Sequence, residues 1–156
     1  MPSIINMKKN ISFFDLIVIF FIFAILSSVV WVTYLNAVNT HNAKSAHNNH
    51  FTIASIIEGE KYGCLQGIKK WIWSDTVTVS CGSTFVDNQI ANFFNNVIKL
   101  KNPYDDKKAV YETIERPAVL KVGNSYVILN KGKNSLQVIT LTQNEGKLLH
   151  TEKSFK

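Results

Sequence analysis

Leu16 to Leu35 reads LIVIFFIFAILSSVVWVTYL, twenty residues without one ionisable side chain. At 1.5 Å of rise per helical residue this run extends over roughly 30 Å, the thickness of a bilayer's hydrocarbon core. A core helix of a water-soluble domain keeps a polar face, and this segment has none. A secretory signal is shorter in its apolar part, about 7–15 residues, and closes on small residues. Trp31-Val32-Thr33-Tyr34 is a poor site of that kind. The run therefore reads as a single membrane-spanning helix.

Working outward, Lys8 and Lys9 precede the run, while the polar stretch from Asn36 carries only Lys44 over its first twenty or so residues. The positive-inside bias places the amino end in the cytoplasm and everything after Leu35 outside, with Trp31 and Tyr34 as candidates for an interfacial aromatic belt. Cys64 and Cys81 then both fall in the oxidising compartment, and their even number points to a disulfide. Such a bridge restricts the unfolded chain by an amount worth about 3 kcal/mol in the entropic description. A metal pair at these positions lacks the partner spacing of a zinc site.

One charge sits in the apolar start: Asp15, four residues after Ile11 in Lys8-Lys9-Asn10-Ile11-Ser12-Phe13-Phe14-Asp15-Leu16-Ile17-Val18-Ile19. A carboxylate near the end of a membrane helix is costly, up to about 2.5–3.5 kcal/mol at mid-bilayer and less near the interface, so it calls for a partner. Here the chain resembles the prepilins, precursors of type IV pilins and of the pseudopilins of type II secretion. Those precursors carry a short basic leader, a cut after glycine, an N-methylated new terminus, and a glutamate at the fifth mature position of a long apolar helix. The resemblance places the leader at Met1 to Asn10, processing between Asn10 and Ile11, and the acidic assembly position at Asp15. Asn10 replaces the usual glycine and Asp15 the usual glutamate, which keeps the charge and shortens its reach by one methylene. The recognisable part covers little more than Lys8 to Leu35.

The resemblance implies a filament in which the ammonium of a processed Ile11 meets the Asp15 carboxylate of a neighbouring copy. At an effective dielectric near 20, such charges about 4 Å apart attract by roughly 4 kcal/mol before desolvation is subtracted. A slipped register strands both charges in apolar surroundings, so the pair selects register. It further implies a membrane prepilin peptidase that methylates the new terminus, a cytoplasmic assembly ATPase with its platform protein, and residence in the inner membrane before export into an extracellular pilus. The competing reading is a signal-anchored, single-span envelope protein with a ligand-binding periplasmic head, in which Asp15 merely faces the positive end of its own helix.

Past Leu35 an apolar stripe persists through Ala43, Ala46, His50, Ile53, Ala54 and Ile57, so the helix is expected to continue to a stop near Glu58 to Gly63. The expected organisation is a leader over 1–10, a filament-core or membrane half of the helix over 11–35, an exported half over 36–62, and a globular head over 63–156. Thr84 and Asp87 form a T-x-x-D capping signature ahead of Val86, Ile90, Phe93, Phe94, Val97 and Ile98 at helical spacing. Asn102-Pro103-Tyr104-Asp105-Asp106 reads as the turn that ends this helix. Four strand-like runs follow, Ala118–Val122, Ser125–Leu129, Ser135–Thr142 and Lys147–Thr151, with short turns between them. The fold class is α+β, pilin-like: a long amino-terminal helix packed on a small antiparallel sheet of about four strands.

Of other chemistry there is little. His41, His47 and His50 lie on the long helix, and the last two, three residues apart, are a weak metal pair against the plainer reading of solvated polar residues. Asp105 and Asp106 lack the alternating oxygen ligands of a calcium loop. No G-x-S-x-G, Gly-rich phosphate loop or base-partnered nucleophile occurs, so neither an enzyme nor a cofactor is expected. The formal charge of +6 falls to +4 once Lys8 and Lys9 leave with the leader. Repeated along a filament, that charge attracts polyanions in a salt-sensitive way. Lys69, Lys70, Trp71 and Trp73 combine cations with aromatics, a candidate grip for single-stranded DNA, against the plainer reading of buried tryptophans beside solvated lysines.

Overall fold

A computed structural model describes residues 12–67, 71–72, 88–130, 135–143 and 146–154. The chain divides between Val38 and Asn39 into two units, although helix α1 (Phe13–Leu65) runs through the division.

In the first unit α1 is exposed from Phe13 through Leu35 and free of ionisable side chains from Leu16 on, which makes it long and apolar enough to cross a membrane. Its polar interruptions close on the helix itself. The hydroxyls of Ser27, Ser28 and Thr33 donate to the carbonyls of Phe23, Ile25 and Val29 at 2.7, 2.7 and 2.8 Å. Apart from Asp15 at its start and Trp31 and Tyr34 near its end, the segment thus presents carbon to its surroundings, as a helix in hydrocarbon requires.

In the second unit the stripe Ala43, Ala46, His50, Ile53, Ala54 and Ile57 is buried, every position of it as expected from the spacing. Ile53 and Ile57 enter the main core with Phe93, Phe94, Val110, Val127 and Leu136. α1 ends at Leu65, a little past the expected stop.

The sheet has order β1-β2-β3-β4, with β1 at Val110–Thr113, β2 at Ser125–Asn130, β3 at Ser135–Leu141 and β4 at Leu148–Ser154. Three strands match the expected runs closely. The first does not: Ala118–Val122 is not a strand, and Val119 is 82 % exposed. That run belongs to the connection that carries the chain from β1 back to the start of β2. Consequently β1 pairs with β2 in parallel, Val110 opposite Ser125, and the sheet is mixed where an antiparallel meander was expected. β-branched composition alone does not distinguish a strand from an extended crossover.

The second helix is short and compound. Gln89–Asn92 (α2) is α-helical, and Phe93–Val97 continues as a π-helical turn. Ile90, Phe93 and Phe94 are buried, but Val97 is 65 % exposed. The wider turn shifts the angular phase, so the apolar positions after it leave the inward face. Thr84, Asp87 and Val86 lie outside the described residues. The cap comes from elsewhere: Glu112 of β1 accepts from the N–H groups of Asn88, Ile90 and Ala91 at 3.0, 3.1 and 3.2 Å. Asn95 in the π-turn serves the free edge of β1, accepting from the N–H of Ala109 and Val110 and donating to the Val110 carbonyl at 2.7 Å.

The 102–106 turn is present and rests on Asn102, which is 1 % exposed. Its amide donates to the Val122 carbonyl and to Asn124 Oδ1, while its Oδ1 accepts from the Tyr104 N–H at 2.8 Å. Gly123 lies directly against it at φ +79°, where an added Cβ would stand 2.3 Å from Asn102 Oδ1. Strain at positive φ and the overlap act together in Gly123→Ala, which is expected to destabilise the head by about 2 kcal/mol or more. Denaturant unfolding of the detergent-solubilised full chain checks this; an unchanged midpoint would show that the contact between Gly123 and Asn102 carries no weight.

Candidate functional site

The amino end of α1 is built as a capping box. Ser12 precedes the helix, and its Oγ accepts from the Phe14 N–H at 3.3 Å, while Asp15 Oδ2 accepts from the Ser12 N–H at 3.1 Å. Two of the helix's unpaired donors are thereby satisfied reciprocally, and the carboxylate lies beside the positive end of the helix dipole. The S-x-x-D spacing of Ser12 and Asp15 was a legible signal for this cap that the sequence reading passed over in favour of an intermolecular partner. Asp15 is exposed and engages the cap through Oδ2. Asn10 and Ile11, the processing positions, lie outside the described residues.

The histidines separate sharply. His41 and His47 are exposed, but His50 is 2 % exposed, at the centre of the contact between α1 and the sheet. The reading of His47 and His50 as solvated neighbours is corrected for His50. Its Nδ1 lies 3.0 Å from Thr140 Oγ1 and its Nε2 2.9 Å from Thr151 Oγ1. Thr140 Oγ1 in turn lies 2.7 Å from Ser125 Oγ. The polar line Ser125, Thr140, His50, Thr151 ties β2, β3 and β4 to α1 with both ring nitrogens used. A buried imidazole so placed is fixed in rotation and satisfied, which suits a packing pin. Among the described residues no group of histidine, cysteine, aspartate or glutamate side chains could hold a metal.

Burial first, and then repulsion from the nearby imidazoles of His47 and His150, lower the His50 pKa to about 4. Below the ordinary value of 6.5 the unfolded chain takes up a proton that the folded one refuses. Folding stability is therefore expected to fall as pH drops from about 6.5 to about 4, levelling off below, by at most about 3 kcal/mol. Urea unfolding at stepped pH reads this directly. In His50→Gln, which has no titrating group, the slope across that window should largely vanish; its persistence would assign the titration to other groups.

The remaining sequence candidates resolve plainly. Trp71 is 2 % exposed and part of the main core, so it offers no platform for a base. Lys69, Lys70 and Trp73 lie outside the described residues. Asp105 pairs with Lys121 at 2.6 Å and Asp106 with Lys101 at 2.9 Å. The hydrogen bond from Lys121, with a backbone bond from Lys107, holds the Asp105 carboxyl below its usual range. These carboxylates are spent on lysines rather than gathered for calcium. No free cysteine occurs among the described residues; Cys81, the expected partner of Cys64, lies outside them.

No family model, no curated protein and no solved structure matches this chain.

Proposed function

We infer that this chain is a structural subunit of a type IV pilus-like filament, processed after Asn10 and assembled through the apolar half of α1. The observation that carries the reading is one unbroken helix, Phe13–Leu65, apolar and exposed over its first half and striped against a small α+β head over its second. A subunit of this kind first inhabits a bilayer and then a filament core. In both settings the first half is solvated by carbon, and only the head meets water. The terminal ammonium of Ile11 pairs with Asp15 Oδ1 of a neighbouring copy and fixes register, while Oδ2 keeps the cap. Cys64 and Cys81 form a disulfide in the exported head. A prepilin peptidase, an assembly ATPase with its platform, and further copies of the chain are the partners. The sequence likeness fits a pilus subunit and a type II secretion pseudopilin alike.

A second reading, the single-span anchored envelope protein, is favoured by one observation: Asp15 already has a partner within its own helix end. Asp15→Asn separates the two, because it keeps an acceptor for the Ser12 N–H and removes the charge. In the filament reading the yield of sheared surface filaments drops about tenfold or more, the equivalent of about 1.4 kcal/mol or more. Mass spectrometry of the wild-type material finds a chain starting at a methylated Ile11 with Cys64 and Cys81 bridged. Surface material that still begins at Met1, or filaments unaffected by Asp15→Asn, would leave the anchored protein as the better account.

A further inference from the structure

β4 is the last strand of the sheet and pairs with β3 alone. None of its residues is fully buried, and none enters the main core, which draws on Val110 of β1, Val127 and Leu129 of β2, and Leu136 and Val138 of β3. Beyond the ladder, polar ties fasten it to α1: Thr151 Oγ1 lies 2.9 Å from His50 Nε2, and Lys153 Nζ lies 2.8 Å from Glu58 Oε1. β4 is thus the strand that the core needs least and the one that leans most on its fastening to α1.

The first tie depends on a proton. Neutral His50 donates from one ring nitrogen and accepts at the other, so two hydroxyls satisfy it. A second proton makes both nitrogens donors and places a cation where the side chain is only 2 % exposed. The hydroxyls of Thr140 and Thr151 can turn to accept, but they carry no charge, and a cation without a counterion is costly to bury. The titratable groups that bear on His50 are His47, one turn back on α1, and His150, beside Thr151 on β4, and both repel a charge there. β2 and β3 meet it with hydroxyls, Ser125 standing behind Thr140. Two turns farther along α1, Glu58 is already engaged by Lys153. Departure of β4 removes the cover at Nε2 and lets water reach the charge.

We propose that His50 and Thr151 form an acid-sensitive latch, in which proton uptake by His50 releases β4 from α1 and β3 while the main core stays assembled. The latch lies within the second unit and operates whether or not the chain forms filaments. Release uncovers the edge of β3 from Ser135 to Leu141, a row of backbone donors and acceptors open to another strand. The half-exposed pair of Glu58 and Lys153 holds too weakly to prevent this, because water screens it.

With the released imidazole at its ordinary 6.5 and the latched one at about 4, the opening constant of β4 rises about 30-fold between about pH 7.5 and about pH 5. Hydrogen exchange of the detergent-solubilised full chain at those two pH values, followed by mass spectrometry and corrected for the intrinsic effect of pH, reads this opening segment by segment. Peptides over 148–154 are expected to lose protection by that factor in acid, and at both pH values to be less protected than peptides over 125–130. In His50→Gln the acid loss over 148–154 shrinks to about threefold or less. Equal protection of β4 and β2 at both pH values means that the strand leaves only with the whole head, and this overturns the latch. A β4 protection that does not respond to pH overturns it too, and both comparisons are made on the wild-type chain, so neither requires a variant to fold. An undiminished acid response in His50→Gln places the proton elsewhere and overturns the role of His50.

Discussion

A backbone in hydrocarbon must satisfy its own hydrogen bonds, whereas a backbone in water need not, and α1 is long and apolar enough over its first half to meet the stricter condition. From Leu16 to Leu35 the answer is self-sufficiency: mostly carbon outward, with the hydroxyls of Ser27, Ser28 and Thr33 turned onto carbonyls of their own helix. From Ala43 to Ile57 the answer is a stripe, because one face can now be covered by protein and the other wetted. The head exists in the form it does because that stripe must be covered.

The covering sheet is fastened at a polar point rather than by grease alone. His50 stands in the middle of an otherwise apolar stripe and joins Thr140 and Thr151, with Ser125 behind. A fully partnered imidazole costs little to bury and accepts only one arrangement of its neighbours, so it contributes specificity where alanines and isoleucines would tolerate sliding. Lys153 and Glu58 add a second, half-exposed link at 2.8 Å between β4 and α1, worth less because water screens it.

Elsewhere the head relies on side chains that do the work of a missing backbone partner. Glu112 caps α2, Asn95 completes the edge of β1, and Asn102 holds the turn that faces Gly123. Each is a polar residue whose role depends on a partner distant in the chain. This is why the calcium and metal candidates dissolved into ordinary pairings once the chain was folded, and why Trp71 left the proposed basic patch for the core.

The boundaries between legible and illegible follow from the range of the forces. Twenty consecutive apolar residues, a stripe at helical spacing, and alternating β-branched runs are local facts, so the sequence alone determined α1, its two characters, the buried positions of its second half, and the last three strands. The parallel pairing of β1 was decided only by tertiary structure, since Ala118–Val122 and Val110–Thr113 have similar local preferences and only the neighbouring Ser125–Asn130 strand chooses between them. The same holds for the partners of His50, since its ring nitrogens meet two threonines about ninety and a hundred residues away in the chain.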